Sequence, residues 1–188
     1  MNAIFEAAKE LEDFYRAQEW QACIIGGLAV TRWGEPRATQ DVDISLLTGF
    51  GNEKPFIDCL LDRFEARIDD AAQFALANRV LLIKASNGIP IDISMGGIPF
   101  EEALISRATP FEFAPDTSLT TCSAEDLIVL KAFAARSRDW GDVESIIARQ
   151  GASLDFDYIF LQLAPLVELK NQPEILHTLT ALKNELAE

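Results

Sequence analysis

The sequence is poor in histidine, in paired cysteines and in long apolar runs, and each shortage excludes a class of protein. His177 is the only histidine, so a zinc site built on two histidines is impossible. Cys23, Cys59 and Cys122 are odd in number and form no C-x-x-C pair, which predicts reduced thiols. No apolar run reaches the roughly 18 residues of a membrane span, and no signal peptide opens the chain, so we expect a soluble, cytoplasmic protein without membrane contact.

Basic residues are also scarce. Sixteen lysines and arginines stand against 30 aspartates and glutamates, which gives a formal net charge of −14. The acid excess lies in both parts of the chain, −9 in residues 1–122 and −5 in residues 123–188. Binding of DNA or RNA without sequence preference needs a broad basic surface, so no broad nucleic-acid-binding surface is predicted. Candidates for a small basic patch are Arg32, Arg37, Arg136 and Arg138.

Hydrophobic periodicity predicts an α+β core followed by a helical C-terminal part. The predicted strands are 22–25, 41–47, 79–85 and 89–94, with a short strand pair within 111–121. The predicted helices are 3–18, 28–33, 53–64, 100–107, 123–136, 139–149, 156–169 and 173–187. We place the domain boundary near residue 122, between an α+β core (1–122) and a helical subdomain (123–188).

Residues 24–47 (IIGGLAVTRWGEPRATQDVDISLL) contain the first chemically informative pattern. Its second strand opens with Asp-Val-Asp, and residues i and i+2 of a strand project from the same face. Asp41 and Asp43 therefore place two carboxylates side by side, where they repel each other unless a cation lies between them. Hard oxygen ligands of this kind suit Mg²⁺ or Mn²⁺.

Two glycines precede this acidic pair. Gly26 and Gly27 follow the first predicted strand, and without Cβ atoms they permit close approach of a ligand or of another backbone segment. N–H groups at the start of the helix that follows can bind a phosphate. A phosphate cradle beside a carboxylate-bound metal is suited to nucleotidyl or phosphoryl transfer.

A third carboxylate is expected on a neighbouring strand. Asp92 lies on the strand that follows Asn87-Gly88, a dipeptide that predicts a β-hairpin. Its neighbours Ile91 and Ile93 face the opposite way, so Asp92 points toward the open face of the sheet, as the first two aspartates do. An isolated D-x-D is usually structural, but its combination with the glycines and a third strand-borne aspartate favours a metal site.

These residues together resemble a known superfamily. The motifs Gly26-Gly27, Arg37-x-Thr39-x-Asp41-x-Asp43 and Asp92 look like those of the nucleotidyltransferase superfamily that includes the DNA polymerase β-like enzymes. More narrowly, the chain is similar to the AbiEii-type branch, whose toxins act in abortive-infection toxin–antitoxin systems. Two later motifs carry the narrower resemblance, Asp126-Leu-Ile-Val-Leu-Lys131 (D-x4-K) and Arg136-Ser-Arg138-Asp139-Trp-Gly-Asp142.

The resemblance implies an α+β fold with a mixed β-sheet core packed by helices and a helical C-terminal part. It also implies metal-dependent transfer of a nucleoside monophosphate from an NTP to an acceptor hydroxyl, with release of pyrophosphate. It implies that Asp41, Asp43 and Asp92 are catalytic and hold Mg²⁺ or Mn²⁺, with Asp92 as the third ligand or the base. The nucleotide-binding residues that it implies are Gly26, Gly27, Arg37, Thr39 and Lys131. Four further residues could position the catalytic and nucleotide-binding residues without contacting the substrate themselves: Asp126, Arg136, Arg138 and Asp139.

Several of these residues also have structural interpretations. Arg37 and Thr39 either orient their loop, through a carboxylate pair and a backbone hydrogen bond, or touch the nucleotide. Asp126 is equally well explained as a first-turn acid in a helix capped by Ser123. Lys131 could extend to the surface instead of contacting phosphate.

The charged residues of the last motif also have a structural interpretation. They could form an ion-pair network that fixes the helical part on the core: Arg136, Arg138, Asp139 and Asp142. The acceptor is open as well. The AbiEii-type resemblance implies RNA or tRNA and a possible antitoxin partner, whereas the acidic composition favours a small molecule, as in antibiotic-modifying relatives. A non-catalytic partner-binding module is the alternative from another class, but a binding scaffold has no reason to concentrate three repelling carboxylates.

Overall fold

In the computed structural model of the protein, residues 2–186 are described. The predicted end of the last helix at residue 187 lies outside them. Contacts divide the chain into two compact units: a sheet unit, which comprises the residues up to 28 and residues 38–122, and a helical unit, which comprises residues 29–37 and the residues from 123 onward. The domain boundary near residue 122 stays a prediction.

Within residues 2–186 the sheet unit contains one mixed seven-stranded sheet. Its strands in chain order are β1 (Ala22–Ile25), β2 (Val42–Leu47), β3 (Glu65–Ala66), β4 (Val80–Lys84), β5 (Pro90–Gly96), β6 (Thr109–Ala114) and β7 (Thr117–Thr121). Their spatial order is β3-β4-β5-β2-β1-β7-β6. The pairs β2–β5 and β1–β7 are parallel, and the other pairs are antiparallel. The predicted α+β class with a mixed sheet is confirmed.

Helices account for most of the remaining described chain. The sheet unit contains α1 (Ala3–Ala17), α3 (Glu53–Arg63), α4 (Ala71–Asn78) and α5 (Pro99–Ser106), and α2 (Gly26–Trp33) begins there. The helical unit contains α6 (Ala124–Ala134), α7 (Ser137–Gln150), α8 (Phe156–Lys170) and α9 (Glu174–Leu186). Among residues 2–186, no helix is both long and apolar enough to cross a bilayer.

The core of the sheet unit lies on one face of the central strands. Val42, Ile44 and Leu46 of β2 are buried there, and Ile91 and Ile93 of the adjacent β5 join them. The core side of α1 packs against the same cluster with Ile4, Ala7, Ala8, Leu11 and Tyr15. Because side chains alternate along a strand, the intervening polar residues of β2 and β5 project from the opposite face. This alternation is what positions the candidate site.

Local signals in the sequence account for several element boundaries. Asn87-Gly88 forms the turn between the antiparallel β4 and β5, and Gly88 has the positive φ of +83° that this turn needs. Ser123 caps α6, since its hydroxyl oxygen accepts a hydrogen bond from the backbone N–H of Asp126. Both features are as predicted.

The elements β3 and α4 were not predicted. β3 has only two residues, too few to show a period. The helix α4 (AAQFALAN) is flanked by Asp70 and Arg79, which both adopt the left-handed conformation at φ of 55° and 56°. The usual boundary signals, an extended polar N-cap and a glycine after the last turn, are therefore absent from this segment.

Candidate active site

Three aspartates meet at the start of the two central parallel strands. Asp43 on β2 lies in register opposite Asp92 on β5, and Asp41 immediately precedes β2. One carboxylate oxygen of each aspartate lies within 4.8 Å of those of the other two, and all three residues are half-buried. The structure thus brings together the three carboxylates that the sequence analysis selected, and the roles assigned to them stay predictions.

The two glycines bring the backbone against this acidic group. Gly26 has a φ of +62°, and a Cβ atom on it would collide with the Asp43 carboxylate. A Cβ atom on Gly27 would collide with the hydroxyl of Thr39. The Gly27 N–H donates a long hydrogen bond of 3.4 Å to Oδ2 of Asp43. Any side chain at either position would therefore displace a residue of the site, whereas the predicted contact with a triphosphate stays a prediction.

Thr39 orients the first aspartate. Its hydroxyl donates to Oδ1 of Asp41 at 3.1 Å and lies 3.3 Å from the backbone oxygen of the same residue. These are the contacts expected if Thr39 holds its loop in place, which is one of the two interpretations that the sequence left open. A contact between Thr39 and a nucleotide stays a prediction.

Arg67 is the residue of this site that the sequence analysis missed. Its Nη1 lies 2.6 Å from Oδ1 of Asp92. Its backbone N–H bonds to the carbonyl of Leu82, which is the residue opposite Asp92 in the β4–β5 register. Arg67 lies directly after β3, in a segment for which no element was predicted, so no pattern connected it with Asp92.

Structural comparison relates this geometry to known proteins. No protein-family model matches the sequence, and no curated protein does. The antibiotic-resistance factor ANT(2'')-Ia has a similar structure, with a TM-score of 0.59 and 14% identity over 92% of this chain and 96% of that chain. The chain has the nucleotidyltransferase fold.

Two further structures share the nucleotidyltransferase fold with this chain. An antigenic nucleotidyltransferase-like protein from Paracoccidioides brasiliensis gives a TM-score of 0.51 and 15% identity over 95% of this chain and 91% of that chain. The lincosamide antibiotic adenylyltransferase LnuA gives a TM-score of 0.50 and 13% identity over 75% of this chain and 94% of that chain. At such identities the likeness establishes the fold, and membership in the AbiEii-type branch stays a prediction.

The donor set of this nucleotidyltransferase fold suits a divalent cation. Three carboxylates and the Arg67 guanidinium that contacts Asp92 carry a formal charge of −2 among these four side chains. All potential ligands are hard carboxylate oxygens, which Mg²⁺ and Mn²⁺ prefer. The residues Asp41, Asp43 and Asp92 are therefore able to hold such an ion.

The helical unit contains a second group of charged residues. Lys131 Nζ lies 3.1 Å from Oδ1 of Asp139 and 2.9 Å from Oδ2 of Asp142. Arg37 donates two hydrogen bonds, of 2.7 and 2.8 Å, to the carboxylate of Asp142, and Arg136 Nε lies 2.5 Å from Oδ2 of Asp139. Lys131 and the two aspartates are buried. The contacts observed are those of the ion-pair interpretation, and phosphate contacts of Arg37 and Lys131 stay predictions.

Both aspartates of this cluster ionise more readily than usual. Burial opposes ionisation of Asp139, but hydrogen bonds from Arg136 and Lys131 outweigh it and hold the pKa of Asp139 below its ordinary value. Burial likewise opposes ionisation of Asp142, and hydrogen bonds from Arg37 and Lys131 lower its pKa. Arg138, in the same motif, is exposed.

We expect the carboxyl groups of Asp139 and Asp142 to make the free energy of unfolding decrease at acidic pH. A carboxyl whose folded pKa is depressed contributes stability that is fully present above its unfolded pKa of about 3.9 and is lost as the pH falls through the folded value. Arg37→Gln should bring the pKa of Asp142 back toward the ordinary value and so reduce the loss of stability below about pH 4. Urea unfolding at pH 7, 5 and 3 measures this loss.

The matched control for this measurement is Lys54→Gln. Lys54 forms an exposed pair with Asp58 one turn along α3, and neither Asp139 nor Asp142 is involved. This control should keep the acid-side loss of the parent protein. An equal loss of stability between pH 5 and pH 3 in Arg37→Gln and in Lys54→Gln would contradict the prediction.

Asp126, the first residue of the D-x4-K motif, is fully buried at the start of α6. Ser123 donates its hydroxyl proton to Oδ2 at 2.6 Å, and the Tyr158 hydroxyl of α8 donates to Oδ1 at 2.6 Å. These contacts connect the α6 N-terminus to α8 and agree with the capping interpretation. A role of Asp126 in supporting the catalytic site stays a prediction.

Proposed function

We propose that the protein is a metal-dependent nucleotidyltransferase that transfers a nucleoside monophosphate from an NTP to an acceptor hydroxyl and releases pyrophosphate. The observation that supports this most is the convergence of Asp41, Asp43 and Asp92 beside Gly26 and Gly27. A scaffold protein gains nothing from three adjacent carboxylates, because their mutual repulsion opposes folding. In a transferase the same repulsion favours binding of a divalent cation.

The chain's own residues would divide the work as follows. Asp41, Asp43 and Asp92 would hold Mg²⁺ or Mn²⁺, and Thr39 would keep the Asp41 carboxylate turned toward the other two. When bound, the ion supplies positive charge that orients the triphosphate and stabilises the developing negative charge. The glycine pair would let the triphosphate approach the start of α2, whose backbone N–H groups can bind phosphate oxygens.

Asp92 is the proposed base. It would take the proton of the acceptor hydroxyl as the acceptor oxygen forms its bond to the α-phosphorus. The bond between the α-phosphorus and the bridging oxygen to the β-phosphate would break, and pyrophosphate would leave with that oxygen. Arg67 would hold one oxygen of the same carboxylate in place.

For the acceptor, we propose a small molecule. The net charge of −14 disfavours a polyanionic acceptor such as RNA or tRNA. Among the similar structures, ANT(2'')-Ia is described in complex with adenylyl-2''-tobramycin, and LnuA is described with lincomycin bound. An RNA acceptor and an antitoxin partner, which the AbiEii-type resemblance implies, are the alternative that the following experiment addresses.

The decisive assay incubates the protein with α-labelled NTPs and Mg²⁺, in parallel with an aminoglycoside and lincosamide panel and with total RNA. We expect label on a small molecule and on none of the RNA, because an acidic protein repels a polyanion. Label on RNA alone would support the AbiEii-type alternative. No transfer to any acceptor, together with no thermal shift by millimolar Mg²⁺ and NTP, would support the non-catalytic module.

A further inference from the structure

We propose that Arg67 is a built-in counter-cation of the three-aspartate site and that it weakens the binding of a divalent cation there. The inference rests on the proposed function, since it concerns the same carboxylates, but it addresses a residue for which no pattern in the sequence gave a role. Arg67 acts through Asp92 and is a positioning residue in this sense. Arg67 raises the concentration of divalent cation that is required to occupy the site.

The geometry makes Arg67 a member of the site rather than a surface charge. Nη1 lies 2.6 Å from Oδ1 of Asp92, within the range of a strong charge-assisted hydrogen bond. About a quarter of the Arg67 side chain and a third of the Asp92 side chain are exposed, so solvent screens the pair only in part. The backbone of Arg67 is held by its hydrogen bond to Leu82, on the strand adjacent to Asp92.

Two opposing effects on metal affinity follow from this contact. Arg67 fixes the Asp92 carboxylate, which favours binding because a short side chain need not be ordered again, but that gain is only a few-fold in the binding constant. Arg67 also places a positive charge beside the position of an incoming dication. Even with the full dielectric constant of water, a repulsion between such charges a few ångströms apart amounts to about tenfold or more. The repulsion therefore outweighs the gain from fixing Asp92, and Arg67 lowers the affinity of the site for a divalent cation.

The test is a titration of the full chain with Mn²⁺ in the absence of nucleotide, in which isothermal titration calorimetry measures the dissociation constant. Arg67→Gln should bind Mn²⁺ about tenfold more tightly than the parent, whereas Arg67→Lys, which keeps the charge, should stay close to the parent. Lys84→Gln is the matched control. Lys84 lies on β4 and pairs with the exposed Glu65, so its loss removes one positive charge from the neighbouring strand without touching the aspartates. It should stay within about twofold of the parent.

The Mg²⁺ dependence of nucleotidyl transfer provides a second test of the proposal. The Mg²⁺ concentration that gives half-maximal transfer should be about tenfold lower in Arg67→Gln than in the parent protein. At saturating Mg²⁺, the kcat of Arg67→Gln should not exceed that of the parent protein. Arg67→Met serves as a second neutral variant. If neither neutral variant folds, as judged by circular dichroism, Arg67 belongs to the structure of the sheet and the proposal is wrong.

The remaining outcomes separate this inference from the proposed function. Unchanged or weaker Mn²⁺ binding in Arg67→Gln, in a protein whose parent binds Mn²⁺ and transfers nucleotide, overturns this inference alone. A parent protein that binds no Mn²⁺ overturns both this inference and the metal-dependent function. Equal tightening in Lys84→Gln would show a general charge effect and would also overturn the specific role of Arg67.

Discussion

Asp43→Asn should lower the rate of nucleotidyl transfer by about a thousandfold or more, equivalent to about 4 kcal/mol of lost transition-state stabilisation. Asp43 is the central acid of the site: it lies opposite Asp92 in the β2–β5 register, and it accepts a hydrogen bond from Gly27. Asparagine has nearly the same shape but no charge, so the fold should remain while the affinity for a divalent ion falls. Single-turnover rates with a labelled NTP measure the effect.

The control for this variant is Asp62→Asn, which removes the same charge from an exposed position near the end of α3. It should transfer nucleotide at the parent rate and unfold at the parent temperature. If Asp43→Asn also works at the parent rate, the assignment of the three aspartates as the catalytic site is wrong. Far-UV circular dichroism of both variants ensures that a lost activity is not a lost fold.

Lys131→Met should lower the free energy of unfolding by about 3 kcal/mol. The ammonium group bridges Asp139 and Asp142, and both carboxylates are buried. Methionine has a similar length, so the packing of α6 is kept, but the two acids retain only their arginine partners. Removing one partner of a buried ion pair leaves charge without full compensation, which costs far more than losing an exposed pair. Urea unfolding at pH 7 measures the difference.

Lys54→Met is the matched control, because Lys54 loses only an exposed partner, Asp58, one turn along α3. It should change the free energy of unfolding by about 0.5 kcal/mol or less. The pair of variants also separates the observed ion-pair contacts of Lys131 from its predicted contact with phosphate. Parent-like stability of Lys131→Met together with a raised KM for NTP would support phosphate contact and would contradict the ion-pair role.

The central part of the site was predictable from local patterns. The alternation of polar and apolar residues in β2 and β5 places Asp43 and Asp92 on one face, and the observed register puts them opposite each other. The Asn87-Gly88 turn fixes the direction of β5 and therefore the face on which Asp92 lies. These signals span a few residues each, so one sequence is enough to read them.

The remainder depends on contacts between distant residues. Arg67 reaches Asp92 across 25 positions of the chain, and Arg37 reaches Asp142 across 105. No period or spacing encodes such pairs, and charged residues of either sign are too common for their partners to be selected by type. The same holds for Lys131: the sequence predicted either extension to the surface or contact with phosphate, and its buried ion pairs with Asp139 and Asp142 were not predicted.

The parallel pairing of β2 with β5 has a consequence for folding. Asp43 and Asp92 belong to strands about fifty residues apart in the chain, so their approach requires closure of a long loop that contains α3, α4 and β4. Contacts of this range form slowly compared with helices and hairpins. The unfolded chain therefore offers no preformed group of three carboxylates, and a cation bound by them would stabilise only molecules in which the centre of the sheet is complete. Binding of a cation at the three aspartates would thus report on correct folding as directly as on the proposed catalytic function.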